Sequence, residues 1–547
     1  MYILRRVVAA SICVLLTTGI TARGFTPSQL AGETRYEGIV AASPSESQAR
    51  RDEVALAGYV HRMGTPGDLR TAQYVQAELT KAGWDAKLVT YDVPIAWPTQ
   101  HRLTLLGAHP HDISLYEPAV AGDPYSHNHA AIGIPYSGYS NDGDVTGPLV
   151  YANHAVADDF AALAQKHVDV RGAIVVARGG GGALTAKAFE AAKHGAKAVL
   201  VFNDPLTSGY FMGETYPRGA WRPLGAAVRN TMTFTNDPGD PTAIGIPVPG
   251  AQHKAFSSIK LPSIPESPIT GAVARELLAA MGGPVGAADW HPGFAFPLHL
   301  GGDVRAHFVL KTRRFLGPIW DVIGTMPGAS TNGQMVVVGG HRDAWTYGAV
   351  DPISGTVDLL QLARAFGKLK AAGWQPQRTI VIGSWDGEEL NLFGSDEWVE
   401  QHQEALRSGC VAYVNTDEVA FGPTFYAAAT PDLAAMLRDT STAVSAPGGR
   451  DLLSEYWQKQ DPKREVSAIG GGSDHEPFVY RQNISAAAGA FGGPFGTYHS
   501  AYDDPASLTV YDPGMHEAAA AARFTSIVVL RLADATYPDV RLATLAT

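Results

Sequence analysis

Three apolar stretches of this sequence each end in acidic or imidazole side chains. His341 and Asp351 follow the first stretch, Glu388 and Glu389 follow the second, and Asp417 follows the third. Imidazole and carboxylate groups are the ligands that zinc and similar divalent cations take in proteins. Several carboxylates gathered in one place repel one another unless a cation is present. The sequence therefore predicts a metal site.

The three stretches have the composition of buried parallel strands. They read QMVVVGG (residues 334–340), RTIVIGS (378–384) and CVAYVN (410–415), and such unbroken runs of apolar residues are typical of strands covered on both faces. Ligands of open α/β sheets collect beyond the carboxyl ends of these strands. We expect the three strand ends to lie at one edge of a sheet, followed after Asp351 by a helix that Ser354 caps.

A pair of zinc ions that shares one carboxylate can lower the pKa of a bound water and polarise a carbonyl group. Such a site also needs one carboxylate that binds no metal and acts as the general base, and Glu388 is the candidate for that role. Tyr498 is placed to donate a hydrogen bond to a developing oxyanion, unless it only packs. The candidate metal ligands are His341, Asp351, Glu389, Asp417 and His499.

Each candidate also has a purely structural interpretation. A histidine at a strand end, such as His341, is commonly a hydrogen-bonded structural residue. Glu388 and Glu389 would suit the start of a helix, where the helix dipole favours negative charge. Asp351 precedes a proline and suits a turn, and Asp343 suits a partner that orients His341 rather than a ligand. The coincidence at three successive strand ends favours the metal site.

Composition narrows the class of protein. The chain has 547 residues, 45% of them hydrophobic and 17% charged, which is ordinary for a globular protein of two or three domains. Its formal net charge is −11, and it has no basic run that could neutralise phosphates. We therefore expect no nucleic-acid partner.

The N-terminus has the layout of a secretory signal peptide. Arg5 and Arg6 precede an apolar run at residues 7–16, and small residues continue to Ala22. The apolar run is short for a membrane span, so residues 1–22 are predicted to be a signal peptide cleaved after Ala22. The mature protein would be secreted or periplasmic and free of the membrane, and an uncleaved anchor is the alternative.

The order of predicted elements indicates an α/β fold with an insertion. Helical periodicity runs over residues 47–63, Asp68 is a candidate cap for a helix to Ala82, and a strand is expected over residues 86–91. This α/β opening is expected to stop at Pro94. Residues 99–314, called the inserted region below, instead show short strands and many turns. Their four glycines at residues 179–182 suit a flexible turn better than a phosphate loop, since the lysine and hydroxyl residue of that motif are missing.

Five segments closely resemble glutamate carboxypeptidase II and its bacterial relatives, which are di-zinc exopeptidases of the transferrin receptor superfamily. These segments are HRDAWTYGAVDPISG (residues 341–355), SWDGEELNLFGSDEW (384–398), NTDE (415–418), GGSDHEPF (471–478) and TYHSAYD (497–503). The inserted region resembles their protease-associated domain through GPLVYAN (147–153), DVRGAIVVARGG (169–180), GAKAVLVFNDP (195–205) and LPSIPESPI (261–269).

The resemblance implies a mixed, largely parallel sheet flanked by helices. The peptidase domain would comprise residues 23–98 and 315–547, and a β-rich protease-associated (apical) domain, residues 99–314, would interrupt it. It also implies a peptide substrate and a role for each site residue. His341 and Asp417 would bind one zinc, Glu389 and His499 the other, Asp351 would bridge them, Glu388 would be the general base, and Tyr498 would help to polarise the scissile carbonyl.

Three functional interpretations are open. The first is a carboxypeptidase like glutamate carboxypeptidase II, the second is an aminopeptidase on the same di-zinc core, and the third is a binding protein without catalysis, like the transferrin receptor. Leu184, Ala488 and Ala490 stand where relatives that prefer acidic residues have arginines, so acidic-substrate specificity is not expected. Glu397 and Glu400 match positions that bind a structural calcium in the family, but partner ligands from the inserted region are not evident.

The resemblance ends with a helix around residues 516–533. Members of the family continue into a helical domain that supplies dimer contacts and part of the substrate pocket, whereas this sequence stops at Thr547. The sequence therefore leaves dimerisation open.

Overall fold

The computed structural model describes residues 25, 27–107, 109–232, 239–248, 250–330 and 332–535. Residues 1–22, interpreted above as a signal peptide, lie outside these ranges. None of the helices within the described ranges is long and apolar enough to cross a membrane.

Most strands of the described residues belong to one large sheet, and two small two-stranded sheets accompany it. The strands are β1 Asp85–Leu106, β2 His111–Ile113, β3 Ser137–Gly138, β4 Gly143–Tyr151, β5 Ile174–Arg178, β6 Ala198–Phe202, β7 Asn230–Thr231, β8 Glu266–Pro268, β9 Gly282–Val285, β10 His299–Gly301, β11 Arg305–Met326, β12 Met335–His341, β13 Thr379–Trp385, β14 Cys410–Asn415, β15 Thr424–Ala429, β16 Val466–Ala468 and β17 Ala486–Gly492.

Helices cover both faces of the peptidase part of this sheet. They and the helices of the inserted region are α1 Pro27–Ala41, α2 Glu46–Ala57, α3 Pro66–Lys81, α4 His129–Ile132, α5 Ala157–Gln165, α6 Leu184–Lys193, α7 Pro205–Ser208, α8 Gly271–Ala280, α9 Ile353–Ala371, α10 Glu388–Asn391, α11 Phe393–Gln401, α12 Gln403–Gly409, α13 Ala434–Thr440, α14 Leu453–Gln460, α15 Leu508–Tyr511 and α16 His516–Asp534.

The peptidase sheet is mixed and largely parallel, as predicted. Its strand order is β16-β15-β17-β14-β12-β13-β11, and β12 is parallel to both β13 and β14. Val336 and Val338 of β12 share a core with α9 and α16, whereas Val337 between them packs in a second core with α11 and α12. Because side chains alternate across a strand, burial of all three requires helices on both faces.

Two long strands connect the peptidase sheet to the inserted region. β1 and β11 pair antiparallel along almost their whole length and run through both predicted boundaries, at residues 98/99 and 314/315. β11 also pairs with β4, from which the parallel strands β5, β6 and β8 follow. The predicted strand over residues 86–91 is too short, because β1 continues through Pro94 to Leu106. The Pro94 carbonyl accepts from the Tyr139 hydroxyl, so the peptide groups of Pro94 point away from β11 and its missing N–H costs no ladder bond with β11.

Three local predictions about helices are also wrong. α2 ends at Ala57, well before residue 63. The cap of α3 is Thr65, whose hydroxyl accepts from the Asp68 N–H, and Pro66 fills the first position, which suits proline because its missing N–H needs no partner there. Ser354 lies inside α9 instead of capping it, and its hydroxyl donates to the Val350 carbonyl.

Within the inserted region, β4, β5 and β6 overlap the segments GPLVYAN, DVRGAIVVARGG and GAKAVLVFNDP that resemble the protease-associated domain. The four glycines at residues 179–182 form a turn after β5, and Gly180, Gly181 and Gly182 have φ of 82°, 74° and 143°. The Lys187 ammonium donates to the Gly180 carbonyl. A lysine of the inserted region itself therefore holds this turn.

Candidate metal centre

The three predicted strands end level with one another. His341 at the end of β12 pairs with Trp385 at the end of β13, and Asn415 at the end of β14 pairs with Gly339. The residues that follow each strand therefore meet at the carboxyl edge of the sheet.

The first half-site of the metal centre consists of His341, Asp351 and Asp417, whose ligand atoms all lie within 4.8 Å of one another. His341 Nε2 is 3.1 Å from Asp417 Oδ1 and 3.4 Å from Asp351 Oδ1. The second half-site consists of Asp351, Glu389 and His499. His499 Nε2 is 3.0 Å from Asp351 Oδ2 and 3.1 Å from Glu389 Oε2. Asp351 thus directs one carboxylate oxygen to each half-site.

The donor set fits a pair of divalent cations. Three carboxylates and two imidazole Nε2 atoms turn towards one another, and Glu389 Oε1 is buried without a hydrogen-bond partner. Burial and the charge of Asp351 raise the pKa of Glu389 to about 7 despite the opposing effect of His499. Burial alone would lower the pKa of His499, but Glu389 and Asp351 raise it well above its ordinary value. Without a cation, the centre must take up protons to relieve its negative charge.

Each imidazole is oriented through its other nitrogen. His341 Nδ1 is 3.0 Å from the Asp343 carbonyl oxygen, and His499 Nδ1 is 2.8 Å from the Arg229 carbonyl oxygen. A carbonyl oxygen can only accept, so Nδ1 carries the proton and Nε2 is free to bind a metal. Asp343 therefore orients His341, as the alternative interpretation proposed.

Glu388 and Glu389 are the first two residues of α10, and their side chains have different neighbours. Glu389 belongs to the second half-site, whereas Glu388 Oε2 lies 3.8 Å from His341 Nε2. The backbone N–H of Glu388 donates to Asp343 Oδ1 over 3.1 Å, which anchors the start of α10. Burial, together with Glu389 and Asp417, raises the pKa of Glu388 well above its ordinary value.

Tyr498 lies against the second half-site. Its ring stacks on the imidazole of His499, with 3.7 Å between ring centroids. Burial, and then the charges of Asp351 and Glu418, raise the pKa of the Tyr498 hydroxyl well above its ordinary value. The hydroxyl therefore keeps its proton and can donate it in a hydrogen bond.

Several partners of the predicted ligands were not identified from the sequence, although three of them lie in segments that carry the family resemblance. Ser473 Oγ donates to Asp417 Oδ2 over 2.5 Å, and Asn415 Nδ2 donates to Ser473 Oγ over 3.0 Å. Asp503 accepts from the backbone N–H groups of Val350 and Asp351. Arg229 comes from the inserted region. These contacts join positions that are far apart in the chain, so local pattern could not reveal them.

The residues singled out for specificity and calcium lie outside the two half-sites. Ala488 and Ala490 lie in β17 opposite β15, and Leu184 begins α6 of the inserted region. Glu400 pairs with Arg481, and Glu397 accepts from the Asp240 N–H. Within the described ranges, neither glutamate belongs to a group of three acidic, histidine or cysteine ligands close enough to hold an ion.

The chain matches two protein-family models. "Peptidase family M28" matches residues 321–522 and "PA domain" matches residues 145–257. The first match includes every residue of both half-sites, and the second lies within the inserted region.

Curated relatives match most of this chain. It is 33% identical over 490 residues to "Probable glutamate carboxypeptidase LAMP1" of Arabidopsis thaliana, and the alignment covers 87% of this chain and 70% of that protein. It is 31% identical over 504 residues to "Aminopeptidase NAALADL1" of Mus musculus, which covers 84% of this chain and 66% of that protein. The chain thus spans about two thirds of the length of these relatives.

A solved structure of a zinc aminopeptidase from Bacillus subtilis has the same fold. Its TM-score is 0.55 at 19% identity, and the match covers 88% of this chain and 94% of that one. Together with the family models and the curated relatives, this places a metallopeptidase fold around the carboxylate and imidazole cluster. The chain belongs to peptidase family M28 and is a zinc metallopeptidase with a PA domain, similar to glutamate carboxypeptidase II.

Proposed function

We propose that this metallopeptidase is a di-zinc exopeptidase that hydrolyses short peptides, with Glu388 as its general base. The observation that carries the proposal is the position of Asp351, whose two oxygens lie 3.4 Å from His341 Nε2 and 3.0 Å from His499 Nε2. One carboxylate that serves two imidazole half-sites is the arrangement that a pair of ions requires.

His341 and Asp417 would hold one zinc, Glu389 and His499 the other, and Asp351 both. When bound, the ions supply Lewis acidity, which polarises the scissile carbonyl and lowers the pKa of the attacking water. Glu388 removes a proton from that water and passes it to the leaving amine. The hydroxyl of Tyr498 donates a hydrogen bond to the carbonyl oxygen as negative charge develops on it.

The proposal has two versions, which differ in whether the enzyme removes the C-terminal or the N-terminal residue of the peptide. The name of the Arabidopsis thaliana relative favours a carboxypeptidase, which must bind a terminal carboxylate. A second candidate is an aminopeptidase, because two arginines close to the centre already have acidic partners. Arg229 pairs with Glu117, and Arg342 pairs with Asp68 and Asp386. The third interpretation, a binding protein without catalysis, does not fit the intact ligand set.

The test combines metal analysis with hydrolysis of short peptides by the purified chain, before and after chelation. We expect close to two zinc ions per chain and activity that chelation removes and zinc restores. Peptides blocked at one terminus then distinguish the two directions: a carboxypeptidase accepts a blocked N-terminus, and an aminopeptidase accepts a blocked C-terminus. Two zinc ions without hydrolysis would contradict the enzyme reading of this chain, and no bound metal would favour the binding protein.

We further propose that the protein is exported, on the basis of residues 1–22, and that it binds neither nucleic acid nor, once mature, a membrane. Mass spectrometry of the mature N-terminus tests cleavage after Ala22. Light scattering of the purified chain tests whether it dimerises.

Calcium at Glu397 and Glu400 is tested by thermal unfolding with and without added calcium, since a bound ion raises the melting temperature.

A further inference from the structure

The zinc ligand His499 is held in its conformation by the inserted region. Its φ is 55°, in the left-handed region that residues other than glycine rarely adopt. The Arg229 N–H donates to the His499 carbonyl over 3.1 Å, and His499 Nδ1 donates back to the Arg229 carbonyl over 2.8 Å. The Arg229 guanidinium reaches the same His499 carbonyl at 3.3 Å. One arginine therefore fixes both the backbone and the ring of this ligand.

Glu117, also in the inserted region, holds this arginine in place. Its carboxylate lies 2.8 Å from Arg229 Nη1, and the two side chains are 1% and 0% exposed. The same carboxylate accepts from the Ala227 N–H over 2.9 Å and from the Ala501 N–H over 3.0 Å. Glu117 thus ties the segment that carries Arg229 to the loop that carries His499.

This arrangement does more than bury an ion pair. A left-handed backbone at a residue with a side chain is strained, and it persists only where surrounding contacts hold it. The direction of an imidazole Nε2 depends on the partner of Nδ1, and such outer partners affect metal affinity. Both conditions are met at His499 by Glu117 and Arg229.

We propose that Glu117 and Arg229 are positioning residues of the second half-site, so that the inserted region completes the metal centre. This inference rests on the proposed di-zinc function. It predicts that loss of the pair weakens the zinc bound by Glu389 and His499 and leaves the zinc bound by His341 and Asp417 unchanged.

The test measures zinc stoichiometry and zinc affinity by competition with a chelator, on the full chain. In Glu117→Gln, we expect one of the two zinc ions to bind about 10- to 100-fold more weakly. The matched control is Asp204→Asn, which removes a buried pair with Arg178 at 2.8 Å in the same region. The hydrogen-bond partners of that pair all lie within the inserted region. The control should lose thermal stability and keep both zinc affinities.

A double variant, Glu117→Gln with Arg229→Met, separates positioning from stability and also serves if the single variant does not fold. Removing both charges avoids an unpaired buried guanidinium, so the melting temperature should recover relative to Glu117→Gln. The weak zinc site should not recover, because the double variant still lacks the guanidinium contact with the His499 carbonyl and the ion pair with Glu117, and only the backbone hydrogen bonds of residue 229 remain. The proposal is overturned if a folded variant without the pair binds both ions as tightly as the wild type, or if the double variant recovers zinc affinity. Absence of zinc from the wild type would instead refute the proposed function.

Discussion

The two half-sites of the metal centre are built in different ways. In the first, His341 ends a central strand, and the carbonyl that orients it belongs to Asp343, two residues further on. In the second, His499 lies in a strained loop, and the carbonyl that orients it belongs to Arg229, 270 residues away. The histidine of the first half-site is oriented by its own segment of chain, whereas the histidine of the second depends on the docking of the inserted region.

The two half-sites should therefore respond differently to substitutions in the inserted region. A strand end between two neighbouring strands has its backbone fixed by ladder hydrogen bonds, so the direction of His341 follows from the sheet. A loop residue has no such support. Damage to the inserted region should therefore reach the second half-site and spare the first.

The largest effect is expected at a residue that belongs to neither half-site. Glu388→Gln should lower kcat by roughly a thousandfold, the scale of general-base catalysis, while both zinc ions stay bound. Peptide hydrolysis and metal analysis on the same preparation check this. Glu389→Gln is the paired control, since it should lose the zinc of the second half-site. A nearly normal rate for Glu388→Gln would show that another group is the base.

Removal of each histidine should separate the half-sites directly. His499→Ala should leave one zinc per chain, bound as tightly as in the wild type, because His341, Asp417 and Asp351 remain. His341→Ala should leave the other ion in the second half-site. Metal content after dialysis measures both outcomes. If either variant loses both ions together, the half-sites are not independent and the comparison fails.

A smaller effect is expected from the hydroxyl that orients Asp417. Ser473→Ala removes the 2.5 Å hydrogen bond to Asp417 Oδ2, so zinc in the first half-site should bind about tenfold more weakly. Ser473→Thr keeps a hydroxyl and should bind zinc nearly normally. Chelator competition distinguishes the two variants. An effect on the second half-site instead would contradict the assignment of Ser473 to the first.

Substitution of Asp358, a buried residue of α9, is expected to change the pH dependence of stability and to leave zinc binding unchanged. Burial raises the pKa of this carboxyl from 3.8 to about 7, although a hydrogen bond from Thr525 opposes the shift. The raised value means that its contribution to folding is complete below pH 4 and is lost as the pH rises through 7. Asp358→Asn removes this loss.

The wild type should lose on the order of 2 kcal/mol of unfolding free energy between pH 5 and pH 8 that Asp358→Asn does not lose. The stability of the variant relative to the wild type should therefore increase by that amount over this pH range. Chemical denaturation at both pH values measures the gain, and zinc affinity should not change. An equal pH dependence in both proteins would show that Asp358 titrates normally in the folded state.

The predictions from sequence succeeded where a rule of local chemistry applies. β12, β13 and β14 were recognisable because strands buried on both faces are unbroken apolar runs. The errors lie where tertiary contacts override such rules. Pro94 does not end β1, since its peptide groups point away from β11. Ser354 does not cap α9, since it lies within the helix and its hydroxyl donates to the carbonyl of Val350, which precedes the helix.

Four of the ligands could be grouped from the sequence alone, because the hydrophobic pattern gives the ends of β12, β13 and β14, and parallel strands present those ends at one sheet edge. These ligands are His341, Asp351, Glu389 and Asp417. The orientation of the ligands, in contrast, depends on contacts that form only in the folded chain. Glu117 and Arg229 precede His499 by hundreds of residues, and no periodicity links them to it. An imidazole takes its direction from whichever carbonyl the folded chain brings to its second nitrogen, and that partner exists only after the inserted region has docked.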